Sequence, residues 1–215
     1  MSAYTVQRIE SPSAEEIDKA VALFVSLMKD GVTTQCLVGG DLSLVDPMAR
    51  SIIRAGCLAG EYYNATTVED GKMIGFCLWM PPGEDLFNTE EQRALGLTDF
   101  MSKLSPEGKE FYKGTYLKVF PSFVGECIGP TGKKDGWWLH MAMTAPEYQR
   151  QEVATSLINL VKEKASKHGD VLALAVSAEE NVPVYSSMGF QNKGKTTVSS
   201  EWGEFPIYVF TYETK

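Results

Sequence analysis

The chain has 215 residues and a mass of 23.7 kDa, the length of one domain or of one domain with a large insertion. Apolar residues make up 44% of the sequence and charged residues 22%, an ordinary globular composition that excludes wholesale disorder. The net charge of −8 argues against nucleic-acid binding, which needs a basic surface, and is compatible with a cationic partner such as an amine.

No pattern in the sequence indicates export, membrane insertion or metal binding. No segment approaches the ~20 apolar residues that a membrane span needs. The first residues lack a basic region followed by an apolar stretch, so we expect no secretory signal and a cytoplasmic location. The four cysteines form no C-x-x-C pair, and neither histidine stands at metal-ligand spacing from them. We therefore expect reduced thiols and no bound metal.

The N-terminal part of the chain predicts a strand, two helices and a β-hairpin. Ser13 and Glu16 form a capping box, in which each side chain satisfies a backbone N–H at the start of a helix. Asp30-Gly31 ends that helix, and Pro47 stands near the first turn of the next one. The predicted elements are a strand at 4–9, helices from the capping box to Asp30 and over 47–58, and hairpin strands at 65–68 and 73–80.

A helical segment separates this hairpin from the next strand. Residues 87–103 and 105–120 predict two helices, the second of which is stopped by Pro121. The whole segment is too short to build a large core of its own. We therefore expect one domain over residues 1–215, with a helical insertion at about 81–136.

The rest of the chain alternates strands with helices. Residues 137–145 have the strongest strand pattern, and the nearly continuous apolar run at 171–176 predicts a central strand buried on both faces. The other predicted elements are a helix from Val153 to His168, a short helix at 183–188 and a last strand at 205–212. The order predicts an α/β fold with a mixed, twisted sheet of six to seven strands flanked by four helices, and with the helical insertion before the central strand. No G-x-G-x-x-G follows a strand, which disfavours a Rossmann fold.

The junction between the strand at 137–145 and the following helix predicts a binding site. A strand that runs into a helix N-terminus gathers unpaired N–H groups, and the helix dipole adds positive potential, so the junction suits an anion. Its loop reads Gln149-Arg150-Gln151-Glu152-Val153-Ala154, and a later segment reads Tyr185-Ser186-Ser187-Met188-Gly189-Phe190. In order and separation, the two segments resemble the Q/R-x-x-G-x-G/A and Y-x-x-x-G-F motifs of the GNAT N-acetyltransferase superfamily.

The resemblance implies an acetyl-CoA site. The backbone of Ala142, Met143 and Thr144 is expected to pair with the pantetheine arm as an added strand would. The backbone N–H groups expected to bind the pyrophosphate are those of Arg150, Gln151, Glu152, Val153, Ala154 and Thr155. Tyr185 is expected near the thioester sulfur, where its hydroxyl can protonate the departing thiolate. No cysteine lies in either motif, so the amine is expected to attack the thioester directly.

Glu152 departs from the family pattern, which has glycine at this position. Glycine lets the backbone approach a phosphate closely, whereas glutamate adds bulk and a negative charge. Two like charges ~4 Å apart repel by ~4 kcal/mol at an effective dielectric of ~20. A glutamate in the first helical turn can instead point to solvent and stabilise the helix by about 0.3–1 kcal/mol. Two main functions stay open: acetyl transfer to a primary amine of a small molecule, and a non-catalytic GNAT-fold binding protein whose CoA binding Glu152 impairs. Acetylation of a hydroxyl group or of a protein N-terminus is a weaker third alternative.

Several residues are candidates for the general base. His140 lies on the strand beside the expected thioester, and the ordinary pKa of histidine suits removal of a proton from an ammonium group. Strand alternation predicts that His140 shares a side with Ala142 and Thr144. Glu126 and Glu179 are weaker candidates, and water can also relay the proton. The insertion is expected to determine the acceptor, and its aromatic residues either wall a pocket or pack as core: Phe111, Tyr112, Tyr116, Phe120 and Phe123.

Overall fold

Seven strands form one mixed sheet in the computed structural model, which describes residues 3–214. The strands are β1 (Tyr4–Ile9), β2 (Glu61–Thr67), β3 (Met73–Met80), β4 (Trp137–Thr144), β5 (Val171–Val176), β6 (Gln191–Ser200) and β7 (Gly203–Glu213). Their spatial order is β1-β2-β3-β4-β5-β7-β6. The neighbours β4 and β5 are parallel, and the other neighbouring pairs are antiparallel. The predicted mixed sheet of six to seven strands is confirmed.

The helices of residues 3–214 are α1 (Ala14–Met28), α2 (Val32–Leu37), α3 (Val45–Ala59), α4 (Glu90–Ala94), α5 (Leu97–Lys103), α6 (Pro106–Glu110), α7 (Leu117–Ile128), α8 (Gly132–Asp135), α9 (Val153–Ser166) and α10 (Val182–Ser187). A π-helical segment, Phe111–Tyr116, joins α6 to α7. The segments from α4 to α8 all lie between β3 and β4, so the helical insertion before the central strand is confirmed. Over the described range, no helix is both long and apolar enough to cross a membrane.

The two faces of the sheet carry different helices. Phe76 and Leu78 of β3 pack with residues of α1 and α3, whereas Cys77 between them packs with α9. We call the two sides the α3 face and the α9 face. Val182 of α10 also packs on the α9 face. On the α3 face, α7 packs beside Trp138 of β4.

The capping box at the start of α1 is confirmed, and the predicted helix stop at Pro121 is wrong. Ser13 Oγ accepts a hydrogen bond from the backbone N–H of Glu16 at 3.2 Å, and a carboxylate oxygen of Glu16 accepts one from the N–H of Ser13 at 2.9 Å. Pro121 lies inside α7, and the helix continues to Ile128. Pro121 is the fifth residue of α7, so its missing N–H and its ring affect only the first turns of the helix, and the residues after it continue the helix regularly.

Candidate active site

The strands β4 and β5 part after three paired residues. Trp137 to Leu139 of β4 pair with Leu172 to Leu174 of β5, and in the described residues the pairing goes no further. From His140 onward, β4 therefore has a free edge on the side of β5. Ala142–Thr144 are half-buried, in contrast to the buried residues at the start of β4. The residues expected to pair with a pantetheine arm thus lie on a strand edge that β5 does not cover.

The loop after β4 places unpartnered N–H groups at the start of α9. The first intrahelical hydrogen bond of α9 runs from the N–H of Ser156 to the carbonyl of Glu152 at 2.8 Å, so the preceding turn has no helical acceptor. Within residues 3–214, no acceptor pairs with the N–H groups of Arg150, Gln151 or Glu152 either. Arg150 and Glu152 both have positive φ, 60° and 63°. The turn gathers its N–H groups in one place, where the helix dipole favours an anion.

Two side chains of the segment itself and one from a distant strand hold this loop. The Gln151 side chain donates to the carbonyl of Glu147 at 2.9 Å, and the Gln149 side chain donates to that of Thr144 at 3.2 Å. The Tyr4 hydroxyl of β1 donates to the carbonyl of Gln151 at 3.1 Å and lies 3.0 Å from Ser156 Oγ. The role of Tyr4 was not predicted from the sequence, because Tyr4 and Gln151 are 147 positions apart and no local pattern indicates their hydrogen bond.

Glu152 is exposed, and its carboxylate makes no hydrogen bond or ion pair within the described part of the chain. Its φ of 63° and ψ of 10° explain why the family pattern has glycine here, since an L-residue pays about 1–2 kcal/mol in this region. The loop keeps the backbone path of a glycine motif although its residue is glutamate, and so fits a pyrophosphate.

Tyr185 lies on the α9 face, as Ala142 does. Its ring packs against Phe190 and Phe210, with centroids 6.0 and 6.2 Å apart. Burial, and then the Cys77 thiol, raise the pKa of Tyr185 to about 12. Cys77 pairs with Ala142 across the β3–β4 ladder, so Tyr185 stands near the free part of β4. The phenol keeps its proton at neutral pH and can donate it.

His140 lies on the opposite face from Ala142, so the expectation that they share a side is wrong. Leu78 pairs with Met141 and Trp79 pairs with Leu139, which makes His140 an extra residue in a β-bulge. The bulge interrupts the alternation of β4. The His140 ring contacts Trp138 edge to face on the α3 face, with centroids 6.4 Å apart.

The surroundings of His140 keep it neutral. Burial, and then the charge of Lys133, lower the pKa of His140 to about 3, against a smaller opposing effect of Asp85. Its Nε2 is buried and has no hydrogen-bond partner among the described residues. The weaker base candidates lie elsewhere: Glu126 is exposed and accepts from Ser122 at 3.2 Å, and exposed Glu179 pairs with Lys195 at 3.7 Å.

Several solved structures share this fold. A Corynebacterium glutamicum protein described as histone acetyltransferase HPA2 and related acetyltransferase is 16% identical, with 97% of this chain and 96% of that chain covered at a TM-score of 0.59. A yellow fever mosquito protein assigned as an arylalkylamine N-acetyltransferase is 10% identical, with 99% and 88% covered at 0.66. A Drosophila melanogaster polyamine N-acetyltransferase is 10% identical, with 98% and 99% covered at 0.57.

Sequence comparison identifies the family. No curated protein sequence matches the chain significantly. Residues 89–204 match the family model of the acetyltransferase (GNAT) domain. This match covers more than half of the chain, including β4, the loop before α9, and α10. The chain therefore belongs to the GNAT acetyltransferase family.

Proposed function

We propose that the protein transfers an acetyl group from acetyl-CoA to a primary amine of a small molecule. The observation that carries this proposal is the free edge of β4 at Ala142–Thr144, which leads to unpartnered N–H groups at the start of α9. An extended arm with amide groups and a pyrophosphate at its end matches a free strand edge followed by an anion site. Two of the similar structures are named for acetylating amines, namely polyamines and arylalkylamines.

The residues around the gap between β4 and β5 have separate roles in the proposed reaction. Acetyl-CoA supplies a thioester whose carbonyl carbon the neutral amine attacks, with formation of the C–N bond and loss of the C–S bond. Backbone N–H groups on the free edge at Ala142–Thr144 polarise the carbonyl oxygen. Tyr185 donates its hydroxyl proton to the departing thiolate, and its raised pKa keeps this proton in place at neutral pH.

Water takes the amine proton in this scheme. A base with a pKa of about 3 removes a proton from an ammonium group poorly, so we do not assign that step to His140. His140 contributes instead a neutral polar group on the α3 face, where the acceptor approaches the gap. Arg150, exposed at the turn before α9, supplies a cation beside the pyrophosphate.

The non-catalytic alternative depends on Glu152. If its carboxylate blocked the anion site, the chain would keep the GNAT fold and lose CoA. The exposed, unpaired side chain is free to turn to solvent, where charge repulsion is screened. We therefore favour the catalytic function.

The direct test is a reaction with acetyl-CoA and a panel of primary amines. Free thiol release is followed in solution, and the acetylated amine is identified by mass spectrometry. We expect both products in equal amounts, and formation of both to be slowed about a hundredfold in Tyr185→Phe. Thiol release without an acetylated amine would contradict the proposal. A protein that binds no acetyl-CoA would support the non-catalytic alternative.

A further inference from the structure

The helix that carries Tyr185 is too short to hold itself in place. The helix α10 has six residues, and none of them is fully buried. Isolated helices shorter than ~12–15 residues are marginal in water, so contacts with neighbouring elements must fix α10. The position of the Tyr185 hydroxyl therefore depends on what holds the end of this helix.

The Lys162 side chain of α9 holds the end of α10. Its Nζ donates a hydrogen bond to the carbonyl oxygen of Met188, the residue that caps α10. The last carbonyls of a helix lack an intrahelical acceptor role, and a lysine beside them supplies the missing donor. Within residues 3–214, no other hydrogen bond joins α9 to α10. The Lys162 amino group is thus the polar connection between the two helices.

Backbone hydrogen bonds continue this connection to Tyr185. The N–H of Met188 donates to the carbonyl oxygen of Tyr185 at 3.1 Å, and the N–H of Phe190 donates to the same oxygen at 3.1 Å. Met188 is therefore held by Lys162 through its carbonyl and holds Tyr185 through its N–H. A displacement of Met188 would move the backbone of Tyr185 with it.

The aromatic rings around the Lys162 amino group also pack with Tyr185. Lys162 Nζ lies 3.9 Å from the ring centroid of Tyr212 and 5.0 Å from that of Phe190. A cation is attracted to the face of an aromatic ring. The Phe190 ring contacts the Tyr185 ring edge to face, with centroids 6.0 Å apart. Lys162 therefore acts on a ring neighbour of Tyr185 as well as on its main chain.

Packing alone does not explain a lysine at this position. Lys162 is half-buried, burial lowers its pKa, and no carboxylate of residues 3–214 pairs with it. A cation that leaves water without a counter-ion loses hydration, whereas an apolar side chain of similar length would cover the same rings without this cost. What the amino group adds is the hydrogen bond to Met188.

We propose that Lys162 is a positioning residue for the reaction, which fixes the Tyr185 hydroxyl where the departing thiolate takes up its proton. Lys162 acts through Met188 and Phe190 and donates no proton to the substrate. This inference rests on the proposed acetyl transfer, and it adds a residue outside both sequence motifs. Because the free edge of β4 and the turn before α9 are separate from α10, loss of the connection should affect kcat rather than cofactor binding.

Steady-state kinetics of Lys162→Met tests the inference, since methionine keeps an apolar stem on the rings and removes the donor and the charge. We expect kcat to fall about tenfold and KM for acetyl-CoA to stay within about twofold of the unmodified value. Lys162→Arg should recover most of kcat, because a guanidinium can also donate a hydrogen bond and stack on aromatic rings. The control is Lys167→Met, which changes an exposed lysine at the end of α9 and should keep the unmodified kcat.

A double variant distinguishes positioning of Tyr185 from a general effect on the fold. If Lys162 acts only through the Tyr185 hydroxyl, Lys162→Met should cause no further fall of kcat in Tyr185→Phe. Effects on kcat that multiply in the double variant would overturn the inference. So would a kcat of Lys162→Met equal to that of the unmodified protein.

A measurement without turnover separates this inference from the proposed function. NMR of the protein with ¹³C-labelled tyrosine rings gives a Tyr185 signal, which its loss in Tyr185→Phe assigns. We expect this signal to shift or broaden in Lys162→Met and to stay in place in Lys167→Met. An unchanged Tyr185 signal in Lys162→Met would overturn the positioning role even where acetyl transfer occurs. A changed signal in a protein that transfers no acetyl group would confirm the connection and contradict the proposed function.

Discussion

His140 and Ala142 stand two positions apart on β4 and face opposite sides of the sheet. The bulge at His140 reverses the alternation, so that His140 meets Trp138 on the α3 face while Ala142 packs on the α9 face with Tyr185. The gap between β4 and β5 opens between these two faces. In the proposed reaction, the leaving thiolate is protonated from one face, and the amine arrives from the other.

Tyr185→Phe tests the proposed proton donor. Removal of the hydroxyl leaves the ring contacts with Phe190 and Phe210, so we expect the fold and the affinity for acetyl-CoA to persist. We expect kcat to fall by about a hundredfold, in the range typical of general-acid catalysis. Because the pKa is about 12, the unmodified enzyme should show no loss of this donor up to about pH 11.

The control for this variant is Tyr212→Phe, which changes another tyrosine that packs against Phe190. In steady-state kinetics, the kcat of Tyr212→Phe should be close to that of the unmodified protein. If Tyr185→Phe also turned over at the unmodified rate, Tyr185 would have no place in the mechanism.

Substitutions of Arg150 and Glu152 separate backbone strain from charge in the loop. Both residues have positive φ, so glycine at either position should raise the free energy of unfolding by about 0.5–1 kcal/mol.

Glu152→Gln should leave the affinity for acetyl-CoA nearly unchanged, because the carboxylate is exposed. Arg150→Gly should lower the affinity although it relieves the same strain. Calorimetry and urea unfolding measure the two effects, and acetyl-CoA binding that appears only in Glu152→Gln would show that the glutamate blocks the site.

Gly75→Ala should displace α9 from its position beside β4. A Cβ at Gly75 would stand 2.8 Å from the Met143 carbonyl oxygen and 3.1 Å from a Val153 methyl group. We expect a loss of about 1–3 kcal/mol in the free energy of unfolding and a several-fold weaker affinity for acetyl-CoA, since both neighbours belong to the proposed site. Gly71→Ala is the control. Gly71 has a φ of 67°, and no atom lies within 4 Å of the added Cβ. We therefore expect this substitution to lower the free energy of unfolding by about 1 kcal/mol and to leave the affinity for acetyl-CoA unchanged. Equal affinity losses in the two variants would refute the explanation.

The lowered pKa of His140 makes folding stability depend on pH. Between about pH 3 and pH 6.5 the unfolded chain binds a proton that folded His140 does not, so stability falls as the pH falls through this window. Through His140, the free energy of unfolding should fall by about 2 kcal/mol between pH 7 and pH 5. Urea unfolding of His140→Gln at both pH values should show a correspondingly smaller loss. A loss in His140→Gln as large as that in the unmodified protein would contradict this prediction.

Local patterns in the sequence predicted local structure well. The apolar run at 171–176 is a central strand, and the Ser13–Glu16 capping box starts α1, because both depend on neighbouring residues alone. The loop motif also identified the turn before α9. Glu152 adopts the left-handed backbone conformation that glycine favours. The contacts around the turn therefore outweigh the conformational preference of this one residue.

Features that depend on distant contacts could not be predicted in this way. The bulge at His140 arises from the pairing of β4 with β3, and no residue of β4 signals it. The support of the loop by Tyr4 requires that β1 and α9 be neighbours in space. Pro121 likewise stands inside a continuous helix, although the local pattern predicted a helix end there.

The central claim is that the free edge of β4 and the turn before α9 bind acetyl-CoA. Isothermal calorimetry on the unmodified protein tests this claim most directly, with CoA and dephospho-CoA as controls for the contributions of the acetyl group and the 3′-phosphate. We predict stoichiometric binding of acetyl-CoA in the micromolar range. Absence of binding at millimolar acetyl-CoA would contradict the account and leave a GNAT fold whose ligand lies elsewhere.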